Sequence, residues 1–118
     1  MNENVIYKLS KAFALRIIKL FSFLRDEKKE YVISKQIYRS GTSIGANIAE
    51  SLFAQSEADY THKLRIALKE ASETRYWLEL LYESGTIDES EYKSLNNDLK
   101  VLIGTCINII NKLLNKEK

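Results

Sequence analysis

The chain has 118 residues, with eighteen Lys or Arg against sixteen Asp or Glu and a net charge of +2. That length fits one domain able to bury a core without metal or disulfide staples, and so small a net charge does not by itself mark a nucleic-acid binder. The absence of proline and the presence of only four glycines, in a composition rich in Leu, Ile, Ala, Lys and Glu, exclude a turn-rich β architecture and favour long helices.

In chain order, Ile6, Leu9, Phe13, Ile17, Leu20 and Leu24 recur at helical spacing and predict an amphipathic helix over about 4–25. Opposite that stripe stand Lys8, Lys11, Arg16 and Lys19 with no acid interleaved on the helix, and beside it lie Ala14, Ile18 and Phe21. The run Arg25–Glu30 is polar throughout and makes the first turn. A second helix, about 31–54, places Ile33, Ile37, Ser40, Ile44, Ile48 and Ser51 on one stripe and Gln36, Arg39, Ser43, Asn47 and Glu50 on its flank. Gly41 and Gly45 each cost about 1 kcal/mol relative to Ala in a helix interior. Together with Ser40, Ala46 and Ala49 they predict a neighbouring helix settled close against this one.

Ser56, followed by Glu57 and Asp59, is an N-cap with acids in the first turn. It opens a third helix, about 56–84, with Tyr60, Leu64, Ala67, Ala71, Thr74, Leu78 and Leu81 inward. Ile66, Trp77 and Leu80 form a second apolar line on it, interrupted by Glu70 and Glu73. Gly85 supplies a left-handed stop. Asp88 with Glu91 has the form of a capping box and starts a fourth helix, about 88–115, that carries Tyr92, Leu95, Leu99, Leu102, Cys106, Ile109 and Leu113. Four such helices joined by short turns predict an all-α fold, a single domain over 1–118 built as an antiparallel up-down-up-down four-helix bundle.

Cys106 is the only cysteine. Within the apolar run Val101–Ile110 it reads as a small buried hydrophobe in a reducing compartment. No uncharged run approaches the roughly 20 residues that span a bilayer, and Met1-Asn2-Glu3-Asn4 leads into an amphipathic pattern rather than a basic and then apolar leader. The expectation is a cytoplasmic protein. Residues 1–54 carry nine Lys or Arg against five acids and residues 55–118 nine against eleven, so the basic excess belongs to the first two helices.

The apolar surface exceeds one stripe per helix. Ile18 and Phe21 on the first helix, Ile66, Trp77 and Leu80 on the third, and Val101, Ile103, Ile107 and Ile110 on the fourth predict a homo-oligomer, with the first five as interface residues. On the flank of the second helix, Arg39 needs a carboxylate, which Glu50, Glu70 or Glu73 can supply. Asn47 is expected to bond to a neighbouring helix or to a carbonyl across the bundle, so that Arg39, Ser43, Asn47, Glu50, Glu70 and Glu73 form one polar network fixing register.

Catalytic readings find no support. A di-iron bundle needs Glu-x-x-His pairs on two helices, whereas the chain has one histidine, His62, placed away from the core stripe, and Glu70-x-x-Glu73 has no histidine companion. Serine chemistry lacks a base. Gly41-Thr42-Ser43-Ile44-Gly45 lacks the Lys of a phosphate-binding loop and lies inside a helix. No catalytic residue, metal or cofactor is expected.

The stretch Tyr38–Glu50 sets small and polar residues where a helix normally carries Leu. Its core, Arg39-Ser40-Gly41-Thr42-Ser43-Ile44-Gly45-Ala46-Asn47-Ile48-Ala49-Glu50, is followed by Ile66-Ala67-Leu68-Lys69-Glu70-Ala71-Ser72-Glu73-Thr74-Arg75-Tyr76-Trp77-Leu78. This pair of motifs resembles the small four-helix-bundle proteins first noticed inside intervening sequences of bacterial 23S ribosomal RNA genes, a family that includes the accessory protein of diversity-generating retroelements. The resemblance runs over nearly the whole chain. It implies a ring-shaped homopentamer, and it places Asn47 and Glu50 in the family signature without a catalytic role. Two functions are then open. One is a weak RNA- or DNA-binding module using Lys8, Lys11, Arg16 and Lys19. The other is a scaffold or adaptor for a protein partner such as a reverse transcriptase.

Overall fold

A computed structural model describes residues 2–116, which form α1 (Asn2–Asp26), α2 (Ile33–Ser51), α3 (Glu57–Glu83) and α4 (Glu89–Lys116). Each helix packs on its neighbours in sequence and α4 closes back on α1, giving the antiparallel four-helix bundle, 49 Å along its axis. α2 sits closer to α1 and α3 than α4 does to either. The cause is side-chain size. A Cβ added at Gly41 would meet Ile17 Cγ1 of α1 at 2.8 Å, and one at Gly45 would lie 3.4 Å from the carbonyl oxygen of Ser10. The close approach expected of the glycines is therefore real, and Gly41 enforces it.

The core contains the predicted stripes: Phe13, Ile17 and Leu24 of α1, Ile37, Ile44 and Ile48 of α2, Leu64, Leu78 and Leu81 of α3, and Leu95, Leu99 and Leu102 of α4 are all at most 1% exposed. Ser10, which is outside the predicted apolar stripe, is fully buried beside Gly45. Its Oγ donates to the Tyr7 carbonyl at 2.9 Å, which satisfies the hydroxyl locally and lets a small residue serve as packing. Its spacing from Ile6 and Phe13 was the available signal.

α2 is shorter than the predicted 31–54, for reasons at both ends. At its start the Glu30 carboxylate accepts from the N–H groups of Val32, Ile33 and Ser34 at 3.2, 3.0 and 2.6 Å, so a side chain before the helix satisfies its first donors. At its end the N–H groups of Leu52, Phe53 and Ala54 bond three residues back, to Ala49, Glu50 and Ser51, a tighter turn than an α-helix allows. The other helices fall within two residues of their predicted bounds. Ser56 caps α3, accepting from the Asp59 N–H at 3.1 Å. Gly85, at φ 78°, ends it, with the N–H groups of Gly85 and Thr86 returning to the carbonyls of Tyr82 and Leu81, the paired bonds of a Schellman stop. Asp88 caps α4 through the Glu91 N–H at 2.8 Å, but the box is only half made, because the Glu91 side chain turns to Arg16.

Candidate functional site

Three surfaces hold the residues singled out from sequence. The first is the outward face of α1. Lys8, Lys11 and Lys19 are exposed there and make no ion pair with any described residue. The Lys11 ammonium lies 5.8 Å from the Tyr7 ring centroid. Arg16 behaves differently. It turns toward α4, with Nη1 2.8 Å from Asp98 Oδ2 and Nη2 3.4 Å from Glu91 Oε2, so the acids missing from its own helix come from the neighbouring one. The free stripe is three lysines with exposed Leu15 and Ile18 among them.

The second surface is the seam between α2 and α3. Arg39 Nη2 donates to Glu73 Oε1 at 2.6 Å and lies 3.3 Å from Glu70 Oε1. Glu73 also accepts from the Trp77 indole N–H at 3.0 Å. Bonding to Glu73, then to Glu70, holds the Arg39 pKa above its ordinary value, and bonding from Arg39, then Trp77, holds the Glu73 carboxyl below the usual carboxylate range. Beneath this pair, Thr74 Oγ1 shares its proton between Ser40 Oγ at 2.9 Å and the Glu70 carbonyl at 2.8 Å, and both hydroxyls are wholly buried. The predicted single network is in fact divided. Glu50 pairs with Lys63 at 2.9 Å rather than with Arg39. Ser43 Oγ donates to the Arg39 carbonyl and Asn47 Nδ2 to the Ser43 carbonyl at 2.9 Å, both within α2. The bond of Asn47 therefore stays within α2 and joins no other helix.

The third surface is apolar. Of the residues assigned to an oligomer interface, Ile18 is exposed, at 42%, while Phe21, Ile66, Trp77 and Leu80 are half-buried. Phe21 packs against Tyr38 at 4.8 Å between ring centroids, and Trp77 leans on the core. Val101 and Ile107 of α4 are exposed as predicted, whereas Ile110 is buried. Phe53, expected inside the second helix, lies in the α2–α3 turn and at 88% is the most exposed large hydrophobic side chain among the described residues.

A family model described as 23S rRNA-intervening sequence protein matches residues 2–108, a span that contains both arginine seams and the small-residue face of α2. The chain belongs to the 23S rRNA-intervening sequence protein family. A solved structure, that of a protein of unknown function from the S23 ribosomal protein family of Bacteroides thetaiotaomicron, is 54% identical, with 94% of this chain and 99% of that one covered and a TM-score of 0.92. No curated protein matches. In this 23S rRNA-intervening sequence protein, no group of three or more His, Cys, Asp or Glu is placed to hold a metal ion among the described residues, and no described helix is long and apolar enough to cross a membrane. Cys106 is buried and unpaired, and burial pushes its thiol up to about 11, so at neutral pH it is a protonated packing group rather than a nucleophile.

Proposed function

We propose that this family member is a non-enzymatic, self-associating bundle that binds RNA or DNA weakly and with little sequence preference through the outer face of α1. The observation that supports it is the set of exposed ammonium groups of Lys8, Lys11 and Lys19 with no carboxylate partner among the described residues. Cations already paired, like Arg16, have little left for a phosphate; unpaired ones retain their full attraction. Lysines on a helix surface contact phosphates rather than base edges, so affinity without readout is the expected chemistry. Self-association strengthens the reading. Exposed Val101 and Ile107 on α4, away from the lysine face, favour copies meeting side by side, with a pentameric ring as the preferred assembly, and several modest patches on one particle bind a strand together far better than one does.

The test is a titration of labelled single-stranded and duplex RNA at two salt concentrations, with light scattering to give the mass of the particle. Affinity should fall with a log-log slope of roughly −0.7 to −0.9 per phosphate neutralised, and Lys8→Glu, Lys11→Glu and Lys19→Glu together should abolish binding while helicity and mass stay unchanged. Binding indifferent to both salt and the triple change rejects the lysine face. No binding at low salt favours instead an adaptor for a protein partner such as a reverse transcriptase, which a pull-down that survives nuclease treatment would identify.

A further inference from the structure

The end of the bundle where α1 finishes and α4 begins holds a cavity of about 670 Å³, within the size range of small-molecule sites. Its floor is apolar. Leu20 and Ile87 are 5% and 4% exposed, and Phe23 presents its ring at 41%. The charges around the rim divide unequally. Asp88 Oδ1 is taken by the Glu91 N–H at 2.8 Å, and Glu91 Oε2 faces Arg16 Nη2 at 3.4 Å while Asp98 holds the other nitrogen of that guanidinium. Among the lining residues Arg16, Lys19 and Lys28 outnumber the carboxylates Asp88 and Glu91 by one, and Arg16 is already held by Glu91 and Asp98. Lys19 and Lys28, which also line the cavity, make no ion pair with a described residue. The Lys28 ammonium already stands 5.7 Å from the centroid of the Phe23 ring, so a cation and an aromatic face share one wall.

We propose that this cavity binds an amphiphilic aromatic anion, its ring on the floor of Leu20, Phe23 and Ile87 and its acid group between Lys19 and Lys28. Each half of the ligand answers a separate deficit. The ring leaves water for the exposed face of Phe23, beside the edges of Leu20 and Ile87. The acid group gives two ammonium groups the partner that the neighbouring carboxylates, engaged elsewhere, do not provide. An uncharged ring system keeps only the first gain, and a cationic one meets repulsion from both lysines. The cavity is independent of the nucleic-acid reading except for Lys19, which borders both, so the variants that test it are at Lys28 and Phe23, outside the outer lysine stripe.

The probes are anilinonaphthalene sulfonate and its uncharged counterpart phenylnaphthylamine, titrated by fluorescence against the full chain and located by amide chemical shifts. The sulfonate should saturate at one site per chain, with shifts centred on Gly85, Thr86 and Ile87. Lys28→Gln should weaken the sulfonate roughly tenfold, the loss of one charge-assisted contact, and leave the amine unchanged. Phe23→Ala should weaken both, and because Phe23 is half out of the core the fold should persist. Sulfonate affinity unmoved by Lys28→Gln overturns the proposal, as do shifts centred on the exposed apolar residues Phe53, Val101 or Ile107.

Discussion

Two arginines in this bundle are each held by two carboxylates from the facing helix, and the surroundings make them different. Arg39, between α2 and α3, lies over a wholly buried Ser40–Thr74 hydroxyl pair and shares Glu73 with the Trp77 indole. Arg16, between α1 and α4, has comparable distances to Glu91 and Asp98 but borders an open cavity. Ser40 and Thr74, small residues that meet across the α2–α3 contact, leave that seam closed beneath the ion pair. The seam of α4 with α1 keeps space. An ion pair of given geometry is thus part of a rigid contact in one place and the rim of a site in the other, and the backbone separation decides which.

The largest break in that comparison should come from the glycines. Gly41→Val pushes a branched side chain into Ile17 and should destabilise the protein by about 1–3 kcal/mol through overpacking. Gly104, in α4, has nothing within 4 Å of an added Cβ. There Gly104→Ala should stabilise by about 0.4–1 kcal/mol through helix propensity and a less flexible unfolded chain. Urea denaturation of both variants gives the two signs; a destabilising Gly104→Ala would show that the α4 side is packed as tightly as the α2 side.

A smaller effect sits beneath Arg39. Thr74→Val should cost about 1–2 kcal/mol because it strands the buried Ser40 hydroxyl, and adding Ser40→Ala should recover part of that loss, since removing both partners leaves no orphan. If the double variant is the sum of the singles, the hydroxyl pair does not join the helices.

The smallest effect is electrostatic. Glu73 titrates below the usual carboxylate range, so its contribution is present above the unfolded-state pKa and is lost as pH falls through the lower folded value. With its side chain about a third exposed, that contribution should stay below about 1 kcal/mol. Trp77 is the only tryptophan and is bonded to Glu73, so its fluorescence should report the titration. Arg39→Ala should move the transition up toward ordinary carboxylate values, and Arg16→Ala should leave it in place. A shift with Arg16→Ala would mean that the two seams are coupled through the bundle.

Much of this was legible in the chain. Periodicity placed the four core stripes, and Ser56, Gly85 and Asp88 marked helix ends because each acts through its own backbone neighbours. The stop of α1 was not marked in that way. Lys29 takes the left-handed conformation, φ 55°, that Gly85 takes after α3, a position where a side chain is disfavoured. The Glu30 carboxylate that caps α2 was likewise hidden in a run of charges. In the candidate sites, the exposure of Lys8, Lys11 and Lys19 follows from their distance around the helix from Ile17. The fate of Arg16 does not, because Glu91 and Asp98 lie some eighty residues away and meet it only through the register of α4 on α1.

The sequence alone determined the number of helices, their inward faces and the tight contact at Gly41, since these depend on residue size and on spacings shorter than one helix. The tertiary structure decided which charges remain free. Pairing across a seam depends on relative rotation and axial register, to which a single helix is blind. Lys19 and Arg16 are three residues apart on one helix, yet one faces solvent unpaired and the other is held by two acids of α4. The cavity beside them has the same origin: Leu20, Phe23 and Ile87 become a floor only because the α3–α4 turn comes to rest against the end of α1.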